Sequence, residues 1–206
     1  ETAVEVRERG RRAVVAPADA TEVDAVEGVV ARAVEGLGGL QILVSNAGVE
    51  LAKPLLETTD EEYERVMDTN VRSMMHFTRA VGPHLIEQGF GRIVMTASVG
   101  AFVAAPNQAV YHVSKAAVAH FPRAMAVEWA RHGITVNAVA PGWVRTDLIR
   151  YLTEDEKRLG NYVRAIPLRR LGEPDEIAPL VAFLCSDHAA YMTGTVIPID
   201  GGLMVP

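Results

Sequence analysis

Gln41-Ile-Leu-Val-Ser45 runs straight into Asn46-Ala-Gly48, and the meeting of a short apolar run with a small polar turn decides the fold. A run this short, closed by Asn and Gly, reads as a buried strand and not as a helix. Working outward, the same pattern recurs. Arg92-Ile-Val-Met-Thr-Ala97 is a strand with Ser98 at its C-terminal end, Ile134-Thr-Val-Asn-Ala-Val139 exits at Pro141-Gly142, and a last strand lies near 195–199. Upstream, Ala13-Val-Val-Ala16 is expected to be a further short strand ending at Asp19.

Amphipathic segments separate these runs. Residues 1–9 read as a helix closed by Gly10. Residues 22–35 carry Val23, Val26, Val29, Val30 and Val34 on one stripe. A long helical stretch over 60–88 opens with Thr59 or Asp60 as its cap, and Gly82-Pro83 is expected to break or kink it. Helices over 109–131 and 174–186 follow, and 147–170 reads as a charged loop with a short helix. Strands alternating with helices predict an α/β fold, a parallel sheet with helices on both faces.

At 206 residues the chain fits a single domain, and 49% hydrophobic with 22% charged residues is ordinary for a globular protein. A net charge of −6 gives no electrostatic reason to expect nucleic acid. No apolar run reaches the ~18–20 residues of a membrane span, the six His and one Cys show no metal-ligand spacing, and the lone Cys185 fits a reducing, cytoplasmic compartment.

The chemistry concentrates in Tyr111-His-Val-Ser-Lys115, thirteen residues after Ser98. A Tyr and a Lys at i and i+4 share one helix face. A nearby cation favours phenolate, so Lys115 is expected to lower the Tyr111 pKa. A Tyr tuned this way exchanges protons with an oxygen undergoing carbonyl–alcohol interconversion; the other reading is a structural pair on a solvated helix. Ligands of an open parallel sheet bind beyond the C-terminal ends of its strands. Asp19, Asn46-Ala-Gly48, Ser98 and Pro141-Gly142 all fall at such ends.

Taken in order, Ser45-Asn-Ala-Gly48, Asn70, Ser98, Tyr111-x-x-x-Lys115, Asn137-Ala-Val-Ala-Pro-Gly142 and Ile199-Asp-Gly-Gly202 resemble the short-chain dehydrogenase/reductase family, and within it 3-oxoacyl-carrier-protein reductase-like members. The resemblance covers the whole chain. It implies a Rossmann-type doubly wound sheet and hydride transfer between NAD or NADP and a small carbonyl or secondary alcohol. Tyr111 would be the general acid, Lys115 would hold the nicotinamide ribose, Ser98 the substrate oxygen, and Asn70 a water of the proton relay. Asp19 and Ala20 would border the adenine, and Asn46, Ala47 and Gly48 the adenosine ribose. Pro141, Gly142, Val144 and Thr146 would border the nicotinamide. A homotetramer or homodimer is expected. Trp143, Leu148, Ile149, Tyr151 and Leu152 would make an apolar substrate lid, edged by His112, Gln108 and Asn107.

One family mark is missing. The Gly-rich phosphate turn needs clustered glycines between a strand and a helix, whereas Gly36, Gly38 and Gly39 follow a helix and precede a strand. The chain therefore reads as an N-terminally incomplete Rossmann-type domain, the C-terminal part of a longer protein, lacking a first strand, the phosphate turn, a helix and a second strand; in the family's sheet order those two strands would lie between Ala13–Ala16 and Gln41–Ser45. Direct pairing of those flanking strands, or filling of the gap by another chain, are the alternatives. The residue that separates NAD from NADP would lie at the end of the missing second strand. Pro122, inside the Tyr111 helix, should kink it. The rival function is a non-catalytic remnant serving as a binding or assembly module. A serine hydrolase built on Ser98 lacks the glycine-flanked nucleophile turn.

Overall fold

The computed structural model describes residues 2–205. Four parallel strands make one sheet in the order β1-β2-β3-β4: β1 (Ile42–Ser45), β2 (Gly91–Thr96), β3 (Ile134–Pro141) and β4 (Val196–Ile199). In register, Leu43 faces Ile93, Val94 faces Asn137, and Val139 faces Ile197. The helices are α1 (Thr2–Glu8), α2 (Val23–Leu37), α3 (Asp60–Met67), α4 (Ser73–Gln88), α5 (Ala109–Trp129), α6 (Arg150–Thr153), α7 (Glu156–Ala165) and α8 (Pro174–Leu184).

Strand periodicity divides the core. Side chains two apart point to one face, so Ile93 and Met95 of β2 join Ile134, Val136 and Ala138 of β3 beneath α4 and α5, where Met74, Val81, Leu85 and Val118 cover them. Val94 and Val139 point the other way and meet Leu184 of α8. Helices thus cover both faces, as the alternating pattern requires.

Three local expectations are corrected. Ala13–Ala16 is not a strand: residues 11–19 have no regular secondary structure, and Val14 and Val15 are exposed. Nor does that segment pair with β1. Its composition suits a sheet, but with no ladder partner its backbone goes elsewhere. Arg12 donates to Gly36 O (3.1 Å) and Leu37 O (2.5 Å) at the end of α2, and Arg32 donates to Val15 O (3.1 Å). One side of β1 is left unpaired, and Ile42 and Val44 stand 46% and 45% exposed.

Gly82-Pro83 does not break α4 either. A Cβ on Gly82 would lie 2.8 Å from Cη2 of Trp129, so this glycine lets α4 pack against the end of α5. Likewise α5 continues past Pro122 to Trp129. The segment 147–170 is more regular than expected: it holds α6 and α7, with Ile149, Leu152 and Ile166 buried around Trp143, Tyr162 and Leu171.

The long helix opens with a capping box at Thr59: its hydroxyl accepts from Glu62 N (3.2 Å), and the Glu62 carboxylate accepts from Thr59 N (2.9 Å). Between α3 and α4 the chain widens into a π-helical turn, Asp68–Arg72, without ending the helix. Such turns insert one residue and swing side chains off the regular stripe. Here that residue set includes Asn70.

Candidate active site

The C-terminal ends of the strands open into a cavity of about 850 Å³. Of the residues singled out in the sequence, Asn46, Gly48, Ser98, Tyr111, Lys115, Pro141, Gly142, Val144 and Thr146 line it together. Ala47 does not, and Asp19 and Ala20 lie at the turn before α2, outside the lining. There Asp19 Oδ1 accepts from Thr21 N (2.9 Å) and Thr21 Oγ1 (2.7 Å), which holds the Asp19 carboxyl below its usual range.

Asn70 sits just behind the cavity and is 2% exposed. Its Nδ2 donates to Val49 O (2.9 Å) and Ser114 Oγ (2.9 Å), while Oδ1 accepts from Val49 N (2.8 Å). Ser114 passes the connection on, donating to Tyr111 O (2.7 Å). The π turn therefore clamps the stretch after β1 to α5. A solvent-facing helix position, the bland expectation for Asn70 on its own, is ruled out by this burial.

Ser98 caps a 3₁₀ turn over Val99–Ala101, with Gly100 N donating to its Oγ (3.0 Å). Lys115 is buried, and its Nζ donates to Thr96 O (2.8 Å) at the end of β2. An ammonium has three protons to donate, so two remain without a partner among the described residues. A Cβ on Gly48 would lie 3.3 Å from both Asn70 Oδ1 and Lys115 Nζ; only glycine leaves that space beside the ammonium open. Gly142 is required for another reason: a Cβ there would lie 2.8 Å from Asp200 Cα.

The electrostatics of the Tyr–Lys pair differ from expectation. Burial raises the Tyr111 pKa, opposed by its hydrogen bond with Ser98 and reinforced by the Glu50 charge. Lys115 Nζ lies 5.9 Å from the Tyr111 ring centroid and is itself lowered by burial from 10.5 to about 8. Desolvation thus disfavours the charged form of each partner. The expected depression of Tyr111 by Lys115 is not present.

Toward the lid, Trp143, Leu148, Ile149, Gln108 and His112 line the cavity. Leu152 instead lies fully buried behind it, and Asn107 lies outside the lining, where its carbonyl accepts from Lys53 N (2.6 Å). Two of the motifs singled out in the sequence prove architectural. Asn137 donates to Met192 O (2.8 Å) and accepts from Thr195 N (3.2 Å), tying β3 to the entry of β4. Asp200 accepts from Gly202 N and Met204 N, folding the C-terminal turn that delivers Leu203 to the cavity. Among the polar lining residues, Thr96, Tyr162 and Glu50 went unnoticed in the sequence. Glu50 follows Asn46-Ala-Gly48 by two positions at the same strand end, and that placement was the available signal.

Residues 1–204 match the family model described as enoyl-(acyl carrier protein) reductase. The oxidoreductase UcpA of Salmonella typhimurium is 41% identical over 205 residues, covering 96% of this chain and 78% of that protein. The 3-oxoacyl-acyl-carrier-protein reductase FabG of Haemophilus influenzae is 38% identical over 89% of this chain and 75% of its own length. Among solved structures, a gluconate 5-dehydrogenase from Burkholderia cenocepacia in complex with NADP and tartrate superposes with a TM-score of 0.95 at 31% identity. That match covers all of this chain and 80% of the other.

Proposed function

The chain belongs to the short-chain dehydrogenase/reductase family, an oxidoreductase family working with NAD or NADP on small molecules, and from that premise we propose how its residues divide the work. Tyr111 gives its proton to the carbonyl oxygen of the substrate, and in the reverse direction accepts it from the alcohol. Ser98 holds that oxygen alongside. Lys115 turns its two spare donors toward the nicotinamide ribose. Asn70 fixes the Gly48–Glu50 stretch and anchors the proton relay behind Lys115. The nicotinamide cofactor supplies or receives the hydride.

The residues present suit the nicotinamide end of such a cofactor. Asn46 and Gly48 offer an open edge, and Pro141, Gly142, Val144 and Thr146 border the same cavity. Asp19 and Ala20 are proposed for the adenine edge. The observation that carries the proposal is the convergence of Ser98, Tyr111 and Lys115 with those residues in one cavity. The apolar walls, Leu148, Ile149 and Trp143 among them, support a medium-sized carbonyl or alcohol substrate.

Residues 1–206 are taken as a single Rossmann-type unit. A homodimer or homotetramer is proposed on the exposed Val113 and Val127 of α5, 58% and 86% accessible. A cytoplasmic site is proposed on the single Cys185. Light scattering reads the first and fractionation the second; a monomer or a secreted protein refutes them.

The test is oxidation of NADPH and NADH with a panel of ketones, comparing Tyr111→Phe. Loss of the proton donor should cost about 10²–10⁴ in kcat/KM. A variant that keeps full activity overturns the role of Tyr111.

A further inference from the structure

Among the described residues Glu50 is the one acidic side chain in the cavity lining, and the proton machinery described above does not use it. It lies on the stretch after β1 that Asn70 clamps, so its place is fixed from behind. Two neighbours fix it from the front. Gln108 Nε2 and Tyr151 Oη, the latter at 2.9 Å, both donate to the same oxygen, Oε1. The Gln108 carbonyl oxygen is in turn engaged by His112 Nε2 at 3.0 Å. Oε2 is left with no hydrogen-bond partner among the described residues. A half-buried carboxylate with one oxygen saturated and the other free is an acceptor held in position. It stands in the same lining as Ser98 and Tyr111, where the reacting oxygen must sit. Apolar walls such as Val99, Val103, Leu148 and Ile149 alternate in the lining with Ser98, His112 and Lys115, and among these groups Glu50 alone offers a substrate donor a free carboxylate oxygen.

We infer that Glu50 is a specificity-determining residue, selecting substrates that carry a hydrogen-bond donor near the reacting carbonyl and rejecting those that carry a carboxylate there. The inference rests on the redox reading of this cavity. A hydroxyl donates to Oε2 and satisfies it; a substrate carboxylate meets a like charge in a poorly hydrated site, which is strongly unfavourable. Tyr151 extends the selection to the lid, because its bond to Glu50 joins α6 to the stretch after β1. Gln108 and His112 keep Oε1 occupied, so a ligand addresses Oε2.

Glu50→Gln separates charge from shape. The amide oxygen still accepts from Gln108 and Tyr151, while the free position becomes an NH₂ donor, which should invert the preference. Two readouts are taken with 4-hydroxy-2-butanone and acetoacetate. One is kcat/KM with each nicotinamide nucleotide. The other is the Kd from quenching of Trp143, which lines the cavity and reports binding without turnover. The native protein should favour the hydroxyketone over acetoacetate by at least about tenfold in Kd, and Glu50→Gln should erase or reverse that ratio. A native ratio near one, or a ratio unchanged in Glu50→Gln, overturns the inference. If neither ketone is turned over but the Kd ratio behaves as stated, the redox reading fails and the donor-selective site stands. Tyr151→Phe, which keeps the carboxylate and leaves Gln108 as the donor to Oε1, serves should Glu50→Gln fold poorly: it should retain the sign of the native preference, and loss of that sign overturns the role of Glu50.

Discussion

Asn70→Ala removes three hydrogen bonds at once, to Val49 N, Val49 O and Ser114 Oγ. Each intramolecular bond is worth roughly 1 kcal/mol net. Val49 is only half-buried, so water can recover part of its loss, whereas Ser114 is fully buried and cannot draw on water. Ser114 nevertheless keeps its own bond to Tyr111 O. The sum is a destabilisation of about 3 kcal/mol, and for a chain of this size about 2–4 °C of Tm per kcal/mol gives a fall of roughly 6–12 °C. Urea unfolding monitored by circular dichroism measures it, with an unchanged m-value showing that only stability moved. The variant should also raise KM, because the stretch carrying Gly48 and Glu50 loses its clamp. A loss smaller than about 1 kcal/mol with KM intact would refute the argument that the π turn exists to hold this connection.

Gly142→Ala places a methyl 2.8 Å from Asp200 Cα, against backbone that cannot swing away, and should cost about 1–3 kcal/mol in thermal denaturation. Burial lowers Lys115 from 10.5 to about 8, so between those pH values the unfolded chain binds the extra proton and stability rises with pH. Below pH 8 the full cost of about 3 kcal/mol is present, offset in part by the bond to Thr96 O. Native protein should therefore gain stability relative to Lys115→Met between pH 7.5 and about 10, read as urea midpoints; a constant gap would show that Lys115 is not a buried charge.

Much of the sheet could be read locally, because a buried parallel strand advertises itself as an apolar run ending in small polar residues. Gln41–Ser45, Arg92–Ala97 and Ile134–Val139 all appear within a residue or so of their predicted bounds. Ala13–Ala16 carries the same signal and fails, since a strand exists only where another strand offers hydrogen bonds. Gly82-Pro83 does not end α4 for a related reason: the gain from packing Trp129 against Gly82 is tertiary and has no trace in local propensity. Asn70 was legible only through the family resemblance of the whole ordered motif set, since on its own it reads as a solvent-facing helix residue. No periodic pattern announces a π turn, and its burial follows from a one-residue offset of the helix. Glu50 was missed because a single carboxylate after a strand has many bland explanations. What distinguishes it is the meeting of Gln108 and Tyr151, residues far away in sequence.

The pairing of Tyr111 with Lys115 looks different once burial is counted. Desolvation raises one and lowers the other, so both are pushed toward their neutral forms. A tyrosine kept protonated is the competent form for donating to a carbonyl, whereas alcohol oxidation needs the phenolate. With Tyr111 in the role proposed above, burial favours the direction of reduction at neutral pH. Glu50 acts in the same sense, since its negative charge raises Tyr111 further. Glu50→Gln removes that charge while keeping the shape, and the rising limb of the oxidation rate against pH should then move to lower pH. Reduction, which uses the protonated phenol already present, should keep its pH dependence through the neutral range. An oxidation limb that stays in place would mean that Glu50 acts on the substrate alone and has no electrostatic hold on Tyr111.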